Sequence, residues 1–336
     1  MAALPRLCRA GERGSVMLWT GREAGRDPMP GGNIAMPWDG ILIEDPAMEP
    51  LLAPHSKLEQ LWSGAKWAEG PVYFHEDDSL VWSDPPNNRM LKWTAAAGTR
   101  LFRSPSQYAN GNYRDLEGRL VSCEHLGRRI SRTEHDGHVV TLVGMLDGKR
   151  LNSPNDLLVK SDGTVWFSDP DYGIMSNDEG YTAPSEIGAN HVYRFDPASG
   201  SLGIVADDFQ KPNGLAFSPN EDRLYIADSA RSHDPDGNHH IRVFDVEDGR
   251  RLKNGRVFAV IEPGIPDGFR IDRHGHVFTS AGDGIQVYSD AGKRLGKILV
   301  PEAVSNCVFG GRQRNRLFIT ATSSVYAIDL ATSGAR

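Results

Sequence analysis

Six short segments of this chain open alike, each with one oxygen-bearing side chain at the equivalent place. They are Glu69 in AEGPVYF, Asn110 in ANGNYRD, Asn155 in SPNDLLV, Asn213 in KPNGLAF, Asp267 in IPDGFRI and Asn306 in VSNCVFG. Carboxylate and amide oxygens gathered at one point suit a hard divalent cation, calcium or magnesium, rather than a metal that prefers thiolates. Glu69 and Asp267 balance a divalent charge while the amides act as neutral donors. Without a cation, two like charges in a dry site repel each other at considerable cost. Asn-Gly and Asp-Gly also serve as plain turn formers. That reading explains any one opening, but neither Glu69, a weak turn former, nor six polar residues at one repeat position.

Such convergence needs a scaffold that repeats. After each opening the chain runs into an apolar strand, turns, and enters a second strand: SLVWSD, GRLVSCEH, GTVWFSD, DRLYIAD, GHVFTSA and NRLFITA. The turns between, such as HEDD, KSDG and DRHG, carry the Gly, Asn and Asp of tight hairpins. Further strands follow, RMLKWTA, RRISRTE, HVYRFDP, HIRVFDV, GIQVYSD and SVYAIDL, most alternating with period two. Four short strands per unit, repeated about every 40 to 60 residues, is the pattern of propeller blades around a central channel. A β-sandwich does not repeat one opening motif six times. The expected fold is all-β, a six-bladed β-propeller over residues 36–336 with blades from about residue 69 and a metal site in its channel. Residues 1–35 are expected to form a disordered extension, with Met29 and Met36 as later candidate starts.

In such a blade the innermost strand begins at the channel rim and the second strand ends on the same face. The loops there start with Asp84, Glu124–His125, Asp169, Asp228, Ala281–Gly282 and Ala321–Thr322. Four of them offer a carboxylate or an imidazole. The loop from Asp169 to about Asn190 is long, with Tyr172, Met175 and Tyr181 for a sugar ring to stack on and Gly173, Gly180 and Gly188 as hinges. It reads as a lid or as a tolerated insertion. His125 reads as a catalytic base or as a histidine that fixes the adjacent loop. His274 and His276 form an H-x-H in a hairpin turn on the opposite face, and His239 and His240 precede an outer strand; surface roles fit all four.

Bulk composition sets the bounds. The chain has 336 residues, 39% of them hydrophobic and 24% charged, with a net charge of −7. Scattered Lys and Arg leave no footprint for nucleic acid or an anionic membrane. No apolar run approaches the length of a membrane span. Cys8, Cys123 and Cys307 have no paired spacing, so a disulfide framework and a thiolate metal site are not expected. A cytoplasmic protein, monomeric or a small homo-oligomer, is the expectation.

AEGPVYF, LNSPNDL, WFSDPDYGI, KPNGLAFSPN, PDGFRID and SNCVFGGRQRNRLFIT together resemble the gluconolactonase, regucalcin and luciferin-regenerating-enzyme family. CEHLGRRI, DPDYG and NCVFGG are most similar to its bacterial gluconolactonase branch. The likeness runs from about residue 55 to 331. It implies one channel metal, calcium first with magnesium, zinc or manganese as alternatives, and hydrolysis of a sugar lactone such as an aldono-1,5-lactone. It also implies Glu69, Asn155, Asn213 and Asp267 as metal ligands. Where regucalcin-like members carry a sugar-contacting Arg, two positions before the middle Asn, this chain has Ser153.

Lactone hydrolysis needs a polarised carbonyl, an activated water and a stabilised oxyanion. Asp267 is the first candidate for the base, as ligand and base together, with Asp156, Asp169 and His125 as alternatives. Asn110, Asn155, Asp169, Tyr172 and Asn306 are the candidate substrate contacts. A metal-dependent phosphotriesterase or arylesterase is the alternative chemistry. A non-enzymatic binding propeller needs no acidic channel and fits Glu69 and Asp267 poorly.

Overall fold

The second strand of each repeat is an unbroken run of apolar and small residues because it is covered on both faces. Ser79–Asp84, Val165–Asp169 and Val277–Ala281 are buried at every position. Outer strands alternate or are largely exposed, as in Gly98–Arg103. The computed structural model describes residues 40–54 and 56–335; the expectation for residues 1–35 lies outside them.

Among the described residues six antiparallel blade sheets follow one another around a ring, and a two-stranded hairpin, Met145–Leu146 with Lys149–Arg150, lies in the chain between the second and third. Blade 1 spans Glu69–Phe74 to Gly98–Arg103, and blade 2 spans Ala109–Arg114 to Val139–Val143. Blade 3 runs from Leu157–Val159 to Ser201–Ala206, blade 4 from Pro212–Phe217 to Arg251–Val260, and blade 5 from Phe269–Ile271 to Arg294–Leu299. Blade 6 takes only three strands from the C-terminal end, Val304–Gly310, Arg316–Ala321 and Ser324–Asp329. The all-β, six-bladed expectation is met.

The core sits in the seams between blades rather than at a centre. Six apolar clusters occupy the six seams. Phe278 of blade 5 meets Cys307 and Phe309 of blade 6, and Trp166 of blade 3 meets Leu224 and Ile226 of blade 4. Truncating a fully buried residue such as Trp166 to Ala would cost about 3–5 kcal/mol.

Closure differs from what the repeat alone suggests. The missing strand of blade 6 is Glu59–Ser63, which lies before the first repeat and pairs with Ser324–Asp329 in the register Glu59↔Ala327 to Ser63↔Ser324. Ile41–Ile43 adds a fifth strand to blade 5, against Arg294–Leu299. Both pairings cover backbone edges that would otherwise stand open. Among the described residues, no helix is long and apolar enough to cross a membrane.

Candidate active site

The ring residues are set by a backbone interlock between blades. Four of the six are followed by glycine, and an added Cβ there would collide with the next blade's ring residue: Gly70 with Asn110, Gly111 with Asn155, Gly214 with Asp267 and Gly268 with Asn306. Gly111 N–H donates to the Asn155 carbonyl at 2.7 Å, and Gly214 N–H to that of Asp267 at 3.1 Å. Only glycine permits so close an approach. In blade 3 the slot is filled by Asp156, which becomes a third channel carboxylate.

A second device repeats in three blades. The aspartate ending the second strand accepts the two backbone N–H groups that lie three and two residues before the ring residue. Asp84 takes those of Lys66 and Trp67, Asp169 those of Asn152 and Ser153, and Asp228 those of Gln210 and Lys211, at 2.8–3.3 Å. These carboxylates aim the ring residues and stay out of the channel themselves.

Glu69, Asn110, Asn155, Asn213 and Asn306 are all at most 5% exposed, and Asp267 is half-buried. Asn306 donates its amide N–H to Glu69 at 3.3 Å and to Asp156 at 3.4 Å. Burial raises the Glu69 carboxyl well above its usual range, and the charges of Asp267 and Asp156 push it further. Asp267 is pushed up to about 8 by burial and by Asp156, against a hydrogen bond from Asn213. Burial also raises Asp156, opposed by the Arg270 guanidinium, which lies 5.8 Å from the centre of the Tyr113 ring. Among the described residues no group of three His, Cys, Asp or Glu side chains forms a metal cluster by itself. Carboxylates of Glu69 and Asp267 with amide oxygens of Asn155 and Asn213 would make a mixed set for an ion. Two negative charges repelling each other in a buried place, with neutral oxygen donors alongside, match a hard divalent cation.

Residues 67–323 match the SMP-30/gluconolactonase/LRE-like region. The chain belongs to that family. A gluconolactonase of Zymomonas mobilis is 33% identical over 313 residues, which cover 86% of this chain and 85% of that protein. A solved gluconolactonase structure from Xanthomonas campestris superposes with a TM-score of 0.82 at 38% identity, covering 87% of this chain and 95% of that one. The fold is shared more widely: a calcium-binding protein, regucalcin, of Agrobacterium tumefaciens gives a TM-score of 0.66 at 17% identity, covering 82% and 96%. The family's gluconolactonases make this protein a lactonase.

Within the lactonase, His125 is fully buried, and burial pushes its imidazole down to about 4. Its Nδ1 lies 3.1 Å from the Glu179 carbonyl, which can only accept, so Nδ1 carries the proton. Nε2 then accepts from the Asn110 amide nitrogen at 3.4 Å. With both nitrogens engaged, His125 fixes the neighbouring loop and turns the Asn110 oxygen away from itself. Its own loop is held by backbone bonds to Gln107 and Tyr108, which adopt left-handed φ of 61° and 52°.

Asp169, expected at the substrate, is committed to backbone N–H groups, as described above. Ser153 donates to the Pro170 carbonyl at 2.7 Å and accepts from Gly173 N–H at 2.9 Å, so it braces the base of the long loop. That loop is a cover packed closely at Gly173 and Gly180 and open at Gly188. A Cβ on Gly173 would meet that of His125 at 2.5 Å, and one on Gly180 would strike the Gly173 carbonyl. Lys211 of blade 4 pairs with Asp171 and lies 5.4 Å from the centre of the Tyr172 ring, which also packs on His233 at 5.3 Å. Tyr172 thus sits under the cover, within the electrostatic reach of Asp267. His276, expected at the surface, is half-buried and bonds to buried Asp272 at 2.9 Å on the turn of blade 5.

Three residues escaped the sequence reading. Asn112 donates to the Gly70 carbonyl, Ser83 and the Asn110 carbonyl at 2.8–2.9 Å, tying two ring positions together. Arg270, a charge in an innermost strand, was a readable signal. Glu179, in a polar loop segment, was not.

Proposed function

We propose that this lactonase is metal-dependent, that calcium is its ion, and that a sugar lactone such as an aldono-1,5-lactone is its substrate. One observation carries the reading: the charges of Asp267 and Asp156 bear on buried Glu69 and that of Asp156 on Asp267, with the Arg270 guanidinium opposing at Asp156. Glu69, Asn155, Asn213 and Asp267 would hold the ion. When bound, it supplies Lewis acidity toward the lactone carbonyl.

The chain's own residues do the rest. Asp267, half-open to the mouth, accepts a proton from the attacking water. Asn110 and Asn306, their nitrogens already engaged by His125 and by Glu69 and Asp156, present amide oxygens that can accept from substrate hydroxyls. The cover loop, with Tyr172 beneath it, excludes bulk water and offers an aromatic face to a pyranose ring. Free, buried Cys123 and Cys307 favour a reducing compartment, the cytoplasm.

Elemental analysis of the purified protein, paired with a lactone assay before and after chelation, tests this. About one divalent ion per chain is expected, with activity lost on chelation and restored by calcium. Saturation at about 100-fold over Kd would add about 2.7 kcal/mol of stability. Full lactonase activity in metal-free protein would overturn the metal reading.

A further inference from the structure

Opening a lactone takes two proton transfers. The attacking water loses one, and the ring oxygen must gain one as it departs, because an alkoxide is a poor leaving group. Asp267 serves the first; no residue so far serves the second.

Glu179 is placed for it. Its backbone carbonyl is pinned by His125 at 3.1 Å, and the next residue, Gly180, is pressed onto Gly173. The loop is therefore locked on both sides of this position. The Glu179 carboxylate comes within 4.0 Å of His125 Nδ1, and its charge acts on Asp267. Among the described residues, no Lys or Arg forms a salt bridge with it.

We propose that Glu179 is the general acid of this lactonase, donating its proton to the ring oxygen as the acyl C–O bond breaks. The proposal rests on the lactone reading above. The water oxygen bonds to the carbonyl carbon while Asp267 takes the water's proton. The tetrahedral intermediate then collapses, the bonding pair stays on the ring oxygen, and the Glu179 proton joins it. The products are a hydroxy acid, Glu179 as carboxylate and Asp267 protonated; because a divalent ion held by Asp267 would favour its carboxylate, one proton moved from Asp267 to Glu179 through solvent resets the site. Three groups bear on Glu179: His125 from blade 2, Asp267 from blade 5 and Asp178 on its own loop. His125 is neutral, and burial with the Asp178 charge pushes the Glu179 carboxyl up to about 7, so the acid form is present near neutral pH.

The test compares two six-membered lactones, δ-valerolactone, which releases an alkoxide, and dihydrocoumarin, which releases a phenoxide that leaves without help. Glu179→Gln is expected to lower kcat on δ-valerolactone by about 10²-fold or more and to leave dihydrocoumarin within a few-fold. Glu179→Asp should recover part of the loss. Independently of turnover, infrared difference spectra should show a protonated carboxyl titrating near neutral pH in the parent and absent from Glu179→Gln. Equal losses on both lactones, or no loss on δ-valerolactone, overturn the proposal while leaving the lactonase reading intact. A parent protein inert to both of these and to an aldono-1,5-lactone removes that reading and the proposal with it.

Discussion

Asn306 donates to Glu69 at 3.3 Å across 237 positions of sequence, joining the innermost strand of the last blade to that of the first. The same amide reaches Asp156 at 3.4 Å on the far side of the channel, while Asn306 Oδ1 accepts the Cys307 N–H at 2.8 Å. One neutral side chain therefore separates two carboxylates and is itself locked by the backbone. The arrangement spaces negative charge without neutralising it.

Asp267→Asn keeps a ligand oxygen but removes a charge and the proposed base. Turnover is expected to fall about 10²–10⁴-fold, with a smaller change in KM. Steady-state kinetics on a sugar lactone check this, and a variant within a few-fold of the parent would place the base elsewhere, with Asp156 next.

Gly180→Ala introduces a methyl group where the Gly173 carbonyl already stands. The cover loop must shift and carry Glu179 with it, and a misplacement of about 1 Å costs roughly 10²-fold in rate. Metal content should not change. Unaltered kinetics would mean the loop is not part of the site.

Removing residues 1–35 should leave a soluble, active propeller. Removing residues 1–64 takes away Glu59–Ser63 and exposes the edge of Ser324–Asp329. Aggregation or loss of the folded protein is expected for the second and not the first. Size-exclusion chromatography of the two shortened chains decides it.

On the turn of blade 5, Asp272 accepts from Thr332 at 2.7 Å and pairs with His276. Burial alone would raise the Asp272 carboxyl, but the hydrogen bonds from His276 and Thr332 outweigh it and hold it below its usual range. The hydrogen bond to Asp272 raises His276, against burial. A raised His stabilises fully below its unfolded value of 6.5 and loses that contribution as pH climbs past the folded value; a lowered Asp stabilises above 3.8 and loses it on acidification. His276→Gln should therefore widen the Tm gap to the parent at about pH 6 more than at about pH 9. Equal gaps at both would remove the pair from the stability of this turn.

The fold was legible because blades repeat: six polar openings and six apolar second strands are visible without any contact map. Glu69, Asp267 and Asn306 were legible for the same reason, since one repeat position means one height in the channel. Asp169 misled because its spacing marks the face of the ring, not the direction of its oxygens; those face the backbone of Asn152 and Ser153. Glu179 was hidden because its place depends on packing among Gly173, Gly180 and His125, which come from separate parts of the chain. The closing strand Glu59–Ser63 was hidden because it stands outside the repeat it completes.

That closing strand also sets a timetable. Gln60 bonds to Ser324, 264 positions later. At about 5–20 residues per second, a ribosome needs roughly 13 to 53 seconds to cover that distance. Throughout that interval Glu59–Ser63 lacks its partner strand, while the residues of blades 1 to 5 are made behind it. A strand made before any blade is among the last to be paired, so completion of the ring joins an early part of the chain to one of the latest.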